Sequence, residues 1–597
     1  MNRRAFWLSV LAILTLTILA YAPALRNGFI WDDDDHFTQN PAMTRPDGLR
    51  KIWSSITFSR YYPLTLTTFW AERRLWGLNP VSYHALNIAL QAVSAVLVFL
   101  VLRRLKLPGA WVAAMLWAVH PVNVESVAWA TELKNVQSGI FFFLSLLCFL
   151  RFEEQPRGKW YGLSLITFAG ALLSKPSTVI LPLVLLLLAW WQRRRVSRRD
   201  LWRTAPFFAM SLAMALLTIT EQRGHIERAP HDWSLGSVER FVLAGKAVWF
   251  YAGKVLWPVN LMFVYPQWPL NTHSPVDWLP LAGAVAIGVG LWKMRRHEWA
   301  AALGVGLGYF TIALLPVLGF FDIYYFRYSF VSDHFQYLAS IGPIALLVAC
   351  AATAVHSRQA RMISALLVVF TLAALTWCYA QVFSDDATLW LETLARNPNA
   401  EIAHCNLGII LDLAGEHESA VEQYRAALKI KPNYVEAHAN LGMALTDLSQ
   451  YKQAEQELRE ALRIQPDSSN AHYGLGTLYY REGHLEDAVS HYEAALLADP
   501  SMTQAYYNLG CVRQQQGQRA IAMACFKAAL VIRPNYLEAH QNLGNVLAEA
   551  GRLPEAVEQY KQALALARSN NDTNLTKQLE ARIELYEKGQ PFHGGSP

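Results

Sequence analysis

From residue 401 onward the dipeptide Leu-Gly returns every 34 residues, at Leu407-Gly408, Leu441-Gly442, Leu475-Gly476, Leu509-Gly510 and Leu543-Gly544. Alanine keeps the same register at Ala427, Ala461, Ala495, Ala529 and Ala563. Pro398, Pro432, Pro466, Pro500 and Pro534 close each unit. A strict period of this length admits few folds. Each unit reads as two antiparallel helices, with Gly and Ala where the helices approach closely and Pro ending the second helix. One such unit cannot bury its apolar face alone, so the units stack into an α-solenoid.

This is the tetratricopeptide pattern, and five units are visible over 401–570. A half-repeat is expected in the junction 382–400, and a polar capping helix in 571–597. Such arrays most often bind an extended peptide or a protein; the plainer reading is a spacer or oligomerisation arm.

The first two thirds of the chain are of a different kind. Of 597 residues 53% are hydrophobic and only 16% charged, and the apolar residues concentrate before about Gln381. That imbalance excludes one large water-soluble domain. Crossing about 30 Å of hydrocarbon takes about 20 helical residues. Eleven spans are expected in 1–381, near 5–22, 83–102, 108–120, 137–152, 160–174, 177–191, 204–220, 278–292, 299–320, 337–355 and 362–381. The stretch 238–257 is a further re-entrant or interfacial candidate, because Arg240, Lys246 and Lys254 interrupt it. The first apolar run reads as an uncleaved span rather than a signal peptide. The formal net charge is only +6, and the basic clusters lie between apolar runs, which points to membrane topology and not to nucleic acid. The six cysteines show neither close pairing nor metal-ligand spacing.

Arg3/Arg4, Arg103/Arg104/Lys106, Arg151/Arg157/Lys159, Arg193 to Arg199, Lys293/Arg295/Arg296 and Arg358/Arg361 fall at alternate loops, which makes that side cytoplasmic. The repeats are then extracytoplasmic, on the periplasmic side of a multi-pass inner-membrane protein. So is the run Asp32, Asp33, Asp34 and Asp35, directly after the first span. Charge is not buried in hydrocarbon, so these carboxylates sit just outside it, where apolar walls raise their proton affinity and suit one of them to act as a general base. The plainer reading is a solvated acidic turn. His120 and Glu125 read either as parts of a substrate pocket or as a cap on the third span and a partner for interfacial amides. Glu132 and Lys134 read as an exposed pair, and Asp333 as an anchor for the loop before the tenth span.

Several motifs then follow in order on this one side: Phe29-Ile30-Trp31-Asp32-Asp33, Tyr62-Pro63-Leu64-Thr65, Gly77-Leu78-Asn79-Pro80 with Tyr83-His84-Ala85-Leu86-Asn87, His120-Pro121-Val122-Asn123-Val124-Glu125, Leu173-Ser174-Lys175 and Ser332-Asp333-His334-Phe335-Gln336-Tyr337. With these motifs the chain resembles the transmembrane and tetratricopeptide-repeat-containing O-mannosyltransferases of the C-type glycosyltransferase superfamily, over nearly its whole length. His334 stands where that pattern has Arg, and Pro176 where Glu often follows the Lys. The compact loops and short array point to a bacterial form.

The resemblance implies an all-α fold, a polytopic membrane helix bundle followed by the solenoid. It implies transfer of a mannose-like hexose from a polyprenyl-phosphate-linked donor, with inversion, to hydroxyl groups of extracytoplasmic proteins recruited by the repeats. Asp32 or Asp33 is then the base, Asp33 being slightly preferred because it lies one residue further from the span. Lys175 and then Arg327 are expected on the phosphate, with Arg60 and Arg73 as weaker choices; His120, Glu125 and Asp333 are expected in the substrate pocket. No cofactor is expected. Some C-type glycosyltransferases use a divalent cation, but no ligand spacing in residues 32–36 supports one, and no metal is expected. Two alternatives stay open: a non-catalytic membrane-anchored scaffold, and a glycosyltransferase acting on a lipid or surface polysaccharide.

Overall fold

A computed structural model describes residues 3–54, 61–226 and 235–588, with side chains described outside 222–226. The described residues are overwhelmingly helical and contain no strand. The chain divides into two compact units, Met1–Ala400 and Glu401–Pro597.

Among the described residues of the first unit eight helices are long and apolar enough to cross a bilayer: Arg3–Ala20, Pro80–Arg104, Ala130–Glu154, Pro176–Arg193, Arg198–Glu221, Pro275–Lys293, Glu298–Val317 and Arg358–Phe383. The other three of the eleven expected spans are shorter helices. The region 108–120 holds only the nine-residue helix Ala110–Ala118, about 13 Å long. Regions 160–174 and 337–355 hold Gly158–Ser174 and Ile341–Ala354, of 17 and 14 residues. The interrupted stretch near 238–257 forms the 20-residue helix Ser237–Leu256.

The chain is a membrane protein whose helix ends sort by charge. Arg104 pairs with Glu154 at 3.0 Å and Arg193 with Glu153 at 2.6 Å, while Arg203 joins Glu153 and Arg193 also holds Asp200. At the opposite ends, irregular segments fold back into the bundle. Pro121 ends the short helix Ala110–Ala118, because the residue before a proline avoids the helical region; His120 is extended at φ −76, ψ 130. The segment 119–132 that follows is buried, and helix side chains satisfy its backbone. Asn87 donates to the carbonyls of Trp129 and Ala130 and Thr376 to that of Val119, while Gln91 donates to that of Ala118 at the end of the preceding helix. Gln91 lies about 16 Å along its helix from Pro80, so this segment is recessed well inside the bundle. Non-helical backbone is tolerated at such depth only when protein groups take up its hydrogen bonds.

Residues 382–400 pack within the first unit. Asp385 caps the helix Asp386–Arg396 by accepting from Thr388 N at 2.9 Å, and Asp386 accepts from Trp31 N at 2.8 Å.

The second unit pairs Glu401–Leu413 with His417–Ile430 and repeats this hairpin through Leu553–Ser569; Thr573–Glu587, capped by Asp572, follows it. The Leu-Gly register has a steric origin. A Cβ on Gly442 would lie 2.5 Å from Leu458 Cγ, and one on Gly476 2.7 Å from Tyr492 Cδ1. Nothing larger than glycine fits at that approach.

Candidate active site

The irregular segments of the first unit enclose a cavity of about 930 Å³. One end is polar, lined by Asp32, Asp35, Glu132, Lys134, Asn135, Lys175 and His334 together with Trp31, Tyr62 and Trp129. The rest of the lining is largely apolar, with Val179, Ile180, Leu183, Ala215, Ile219, Ala313, Leu315 and Val317, but it also includes the charged residues Glu221, Arg240 and Asp322.

Local sequence explains how the polar groups are presented. Pro176 keeps Lys175 out of the helical region, so the helix Gly158–Ser174 stops and Lys175 is extended at φ −153, ψ 117. Its ammonium reaches Glu132 Oε2 at 3.4 Å and Asn135 Oδ1. Lys134 Nζ lies 2.7 Å from Glu132 Oε1, and 5.5 Å and 5.9 Å from the ring centres of Trp129 and Tyr62. Two ammonium groups thus share one carboxylate, and aromatic faces hold one of them. Glu132 is fully buried and Lys134 only 7% exposed, so they are not the exposed surface pair expected from the sequence. Two charges beside an apolar run of helix are tolerable only when paired, and that pairing draws them inward.

The acidic run does not present its carboxylates to one point. Trp31 adopts the left-handed region at φ 45, a strained choice for a bulky residue, held by its bond to Asp386 and by stacking on Trp129 at 5.5 Å. Beyond this turn Asp32 lines the cavity, whereas Asp33 points into the protein and is fully buried. Asp33 Oδ2 accepts from Ile30 N at 2.8 Å; Oδ1 accepts from Thr131 N at 2.8 Å and from the Thr131 hydroxyl. Burial pushes Asp33 up to about 8, against those hydrogen bonds. Of the two, it is Asp32 and not the slightly preferred Asp33 that faces the cavity. Asp34 is exposed and accepts from Thr38 and Gln39, while Asp35 lies on the cavity wall. Asp32 is one of a small network: its Oδ2 lies 3.6 Å from His36 Nδ1, and His36 Nε2 meets the Tyr62 hydroxyl at 2.9 Å.

Of the seven residues singled out from sequence, Asp32 and Lys175 line the cavity; the other five stand behind its walls. His120 Nε2 donates to Val255 O at 3.0 Å and its Nδ1 accepts from Val122 N, a capping arrangement, and burial holds it down at about 4. Glu125 Oε2 accepts from Ser332 Oγ at 2.8 Å and His334 N at 3.0 Å, and meets His334 Nδ1 at 2.9 Å. Burial first, and then the charge of Asp333, raise Glu125 well above the ordinary carboxylate range. Asp333 accepts from the Tyr265 hydroxyl at 2.9 Å and from Gln336, anchoring its loop; burial raises it to about 7. Arg327 is buried, donates to the Tyr324 hydroxyl at 3.2 Å and lies over the Tyr328 ring. Those two tyrosines, not Arg327, reach the cavity. Arg73 is not on the wall, and Arg60 lies outside the described residues.

Glu132, Lys134, Asn135, His334 and Asp35 are among the cavity residues to which sequence reasoning gave no part in the site. The available signal was positional: Glu132, Lys134 and Asn135 immediately precede a long apolar run, where ionisable groups must find partners.

Comparisons with known proteins match parts of both units. The family described as dolichyl-phosphate-mannose-protein mannosyltransferase matches residues 64–219, and tetratricopeptide-repeat families match 413–449, 445–510 and 501–569. A protein O-mannosyl-transferase of Caenorhabditis elegans is 24% identical over 451 residues, covering 71% of this chain and 62% of its own length. Protein O-mannosyl-transferase TMTC4 of Mus musculus is 24% identical over 501 residues, covering 70% and 66%. The chain thus spans somewhat less than two thirds of the length of these relatives. Among solved structures, a thermophilic TPR protein of Thermus thermophilus is 25% identical, covering 31% of this chain and all of its own, with a TM-score of 0.28. The chain combines a mannosyltransferase-type membrane domain with tetratricopeptide repeats and is homologous to the protein O-mannosyl-transferases that share this arrangement.

Proposed function

We propose that this homologue of the protein O-mannosyl-transferases moves a hexose from a polyprenyl-phosphate donor to hydroxyl groups of proteins that its repeats recruit. The observation that carries the reading is one cavity whose lining combines a lysine pair held on Glu132, the further carboxylates Asp32 and Asp35, and a largely apolar remainder. A lipid-linked sugar phosphate has these three parts: an isoprenoid for the apolar remainder, a phosphate for the ammonium groups, and a sugar held between them and the carboxylates.

In an inverting transfer the acceptor oxygen attacks the anomeric carbon from the face opposite the phosphate. The new C–O bond forms as the sugar–phosphate bond breaks, and its electron pair stays on the phosphate. Asp32 is assigned as the base that takes the acceptor's proton, and Lys134 and Lys175 offset the charge that grows on the departing phosphate. Glu132 holds both ammonium groups in place, and Asp33 braces the loop that carries Asp32. The bacterial inner membrane, with the cavity and repeats on the periplasmic side, is the location consistent with the basic loops and with the ion pairs gathered at the other helix ends.

The test is transfer of labelled mannose from a polyprenyl phosphomannose to protein acceptors by the purified full chain. Wild-type transfer, lost in Asp32→Asn with donor affinity retained, is the expected result. Neither transfer nor donor binding by the wild type would leave the scaffold reading in its place.

A further inference from the structure

Along the chain, 382–400 reads as a junction between the last span and the repeats. In the fold it also braces the loop that carries Asp32. Residues 27–33 are held from two directions. Thr131 captures Asp33 with its amide and hydroxyl. From the other direction Gly28 N donates to Ser384 O at 2.7 Å, Asn27 Nδ2 to Ala380 O at 3.1 Å and Trp31 N to Asp386 Oδ1 at 2.8 Å, while the Trp31 ring meets Trp390 edge to face at 5.9 Å. The helix Asp386–Arg396 is itself anchored at both ends. Asp385 caps its start through Thr388 N, and Asn397 Nδ2, just past its last residue, donates to Val264 O at 3.2 Å. Phe383, Leu389 and Trp390 are buried. Asp386 is therefore presented to the loop from a fixed helix end.

A bulky residue stays in the left-handed region only where its surroundings impose it, and Trp31 does so at φ 45. The turn matters because it immediately precedes the two acids and sends Asp32 to the cavity wall and Asp33 into the protein. The bond from Asp386 acts on the backbone of the strained residue itself.

We infer that Asp386 is a positioning residue for sugar transfer: by holding Trp31 N it fixes the left-handed turn, and with it the direction of the Asp32 carboxylate. This rests on the reading of Asp32 as the base. Without that oxygen Trp31 relaxes toward negative φ, the chain leaves residue 31 in another direction, and Asp32 moves from its place on the wall. A misplacement of about 1 Å in a reacting group costs about 10²-fold in rate. Lys134 and Lys175 stand on other segments, so donor binding is expected to survive.

The assay is transfer of labelled mannose from farnesyl phosphomannose to a serine- and threonine-rich polypeptide by the full chain in detergent, with donor affinity and thermal midpoint recorded for each variant. Asp386→Ala should lower kcat by about a hundredfold with donor affinity little changed. Asp386→Asn keeps an oxygen for the Trp31 amide and should recover most of that loss. In an Asp32→Asn background Asp386→Ala should cost almost nothing further, because the group it positions is no longer a base; a general structural defect would lower both backgrounds by the same factor. Transfer by Asp386→Ala at the wild-type rate, no recovery in Asp386→Asn, or an equal loss in both backgrounds overturns the role of Asp386 and leaves sugar transfer standing. A collapse of the Asp386→Ala midpoint does the same, since the bond would then support the fold and not the base. Full activity of Asp32→Asn removes the base and this role together, and no transfer by wild type overturns the reaction itself and this role with it.

Discussion

Exchanging Asp33 for Asn and Asp32 for Asn should separate two neighbouring carboxylates by what each one does. Asp33 is fully buried and receives backbone N–H groups from Ile30 and Thr131 on its two oxygens, both at 2.8 Å. An asparagine has one accepting oxygen, so one of those amides is left facing an NH₂ group. An unsatisfied buried donor costs about 1–3 kcal/mol, which for a unit of this size lowers a thermal midpoint by roughly 1–4 °C. Asp32 is on the cavity wall and its side chain is only partly buried. Its exchange should leave the midpoint within about 1 °C and reduce transfer by about 10²–10⁴, with donor affinity little changed. The assay is a thermal melt of the purified full chain in detergent beside mannose transfer and donor binding, for wild type and both variants. The crossed result, in which Asp33→Asn melts like wild type yet loses transfer while Asp32→Asn keeps it, would return the base to Asp33 and refute the argument from orientation.

Asp33 also predicts a pH dependence. Its native value of about 8 lies above the ordinary 3.8, so its stabilising contribution is complete below about pH 4 and is lost as pH rises through 8, by on the order of 1 kcal/mol per pH unit. The wild-type midpoint should fall between pH 5 and 8, and Asp33→Asn should flatten that slope. Lys134→Met and Lys175→Met should each weaken binding of a polyprenyl phosphomannose by about tenfold, measured by titration; no change in either would remove the lysine pair from the phosphate. Gly442→Ala should loosen one hairpin of the repeats, since its Cβ would lie 2.5 Å from Leu458 Cγ and overpacking costs about 1–3 kcal/mol. Faster amide exchange confined to Val435–Asp447 and Tyr451–Ile464 is the expected sign. For sidedness, Leu497 is 86% exposed; with the native cysteines replaced, Leu497→Cys should react with an impermeant thiol reagent before the inner membrane is opened.

The amino-acid sequence by itself determined the solenoid, because a 34-residue period with Gly at every close approach has one compact solution, and the same steric limit recurs at Gly442 and Gly476. It also determined that the first unit is an apolar helix bundle, and it located the loops that build the cavity, since prolines after His120 and Lys175 stop helices by local sterics alone. Tertiary structure decided which side chains in those loops face inward. Asp32 and Asp33 are adjacent and chemically identical, and what distinguishes them is Thr131, 98 residues away, which captures Asp33 with its amide and hydroxyl. Glu132 and Lys134 read as an exposed pair until Lys175 arrives from another helix to share the carboxylate. Arg327 has the right chemistry for a phosphate, yet Tyr324 and Tyr328 stand between it and the cavity. Helix ends and turns are set by residues a few positions apart and are legible along the chain. The direction of a polar side chain is set by the partner that spares it an unsatisfied burial, and that partner is known only once distant segments have packed together.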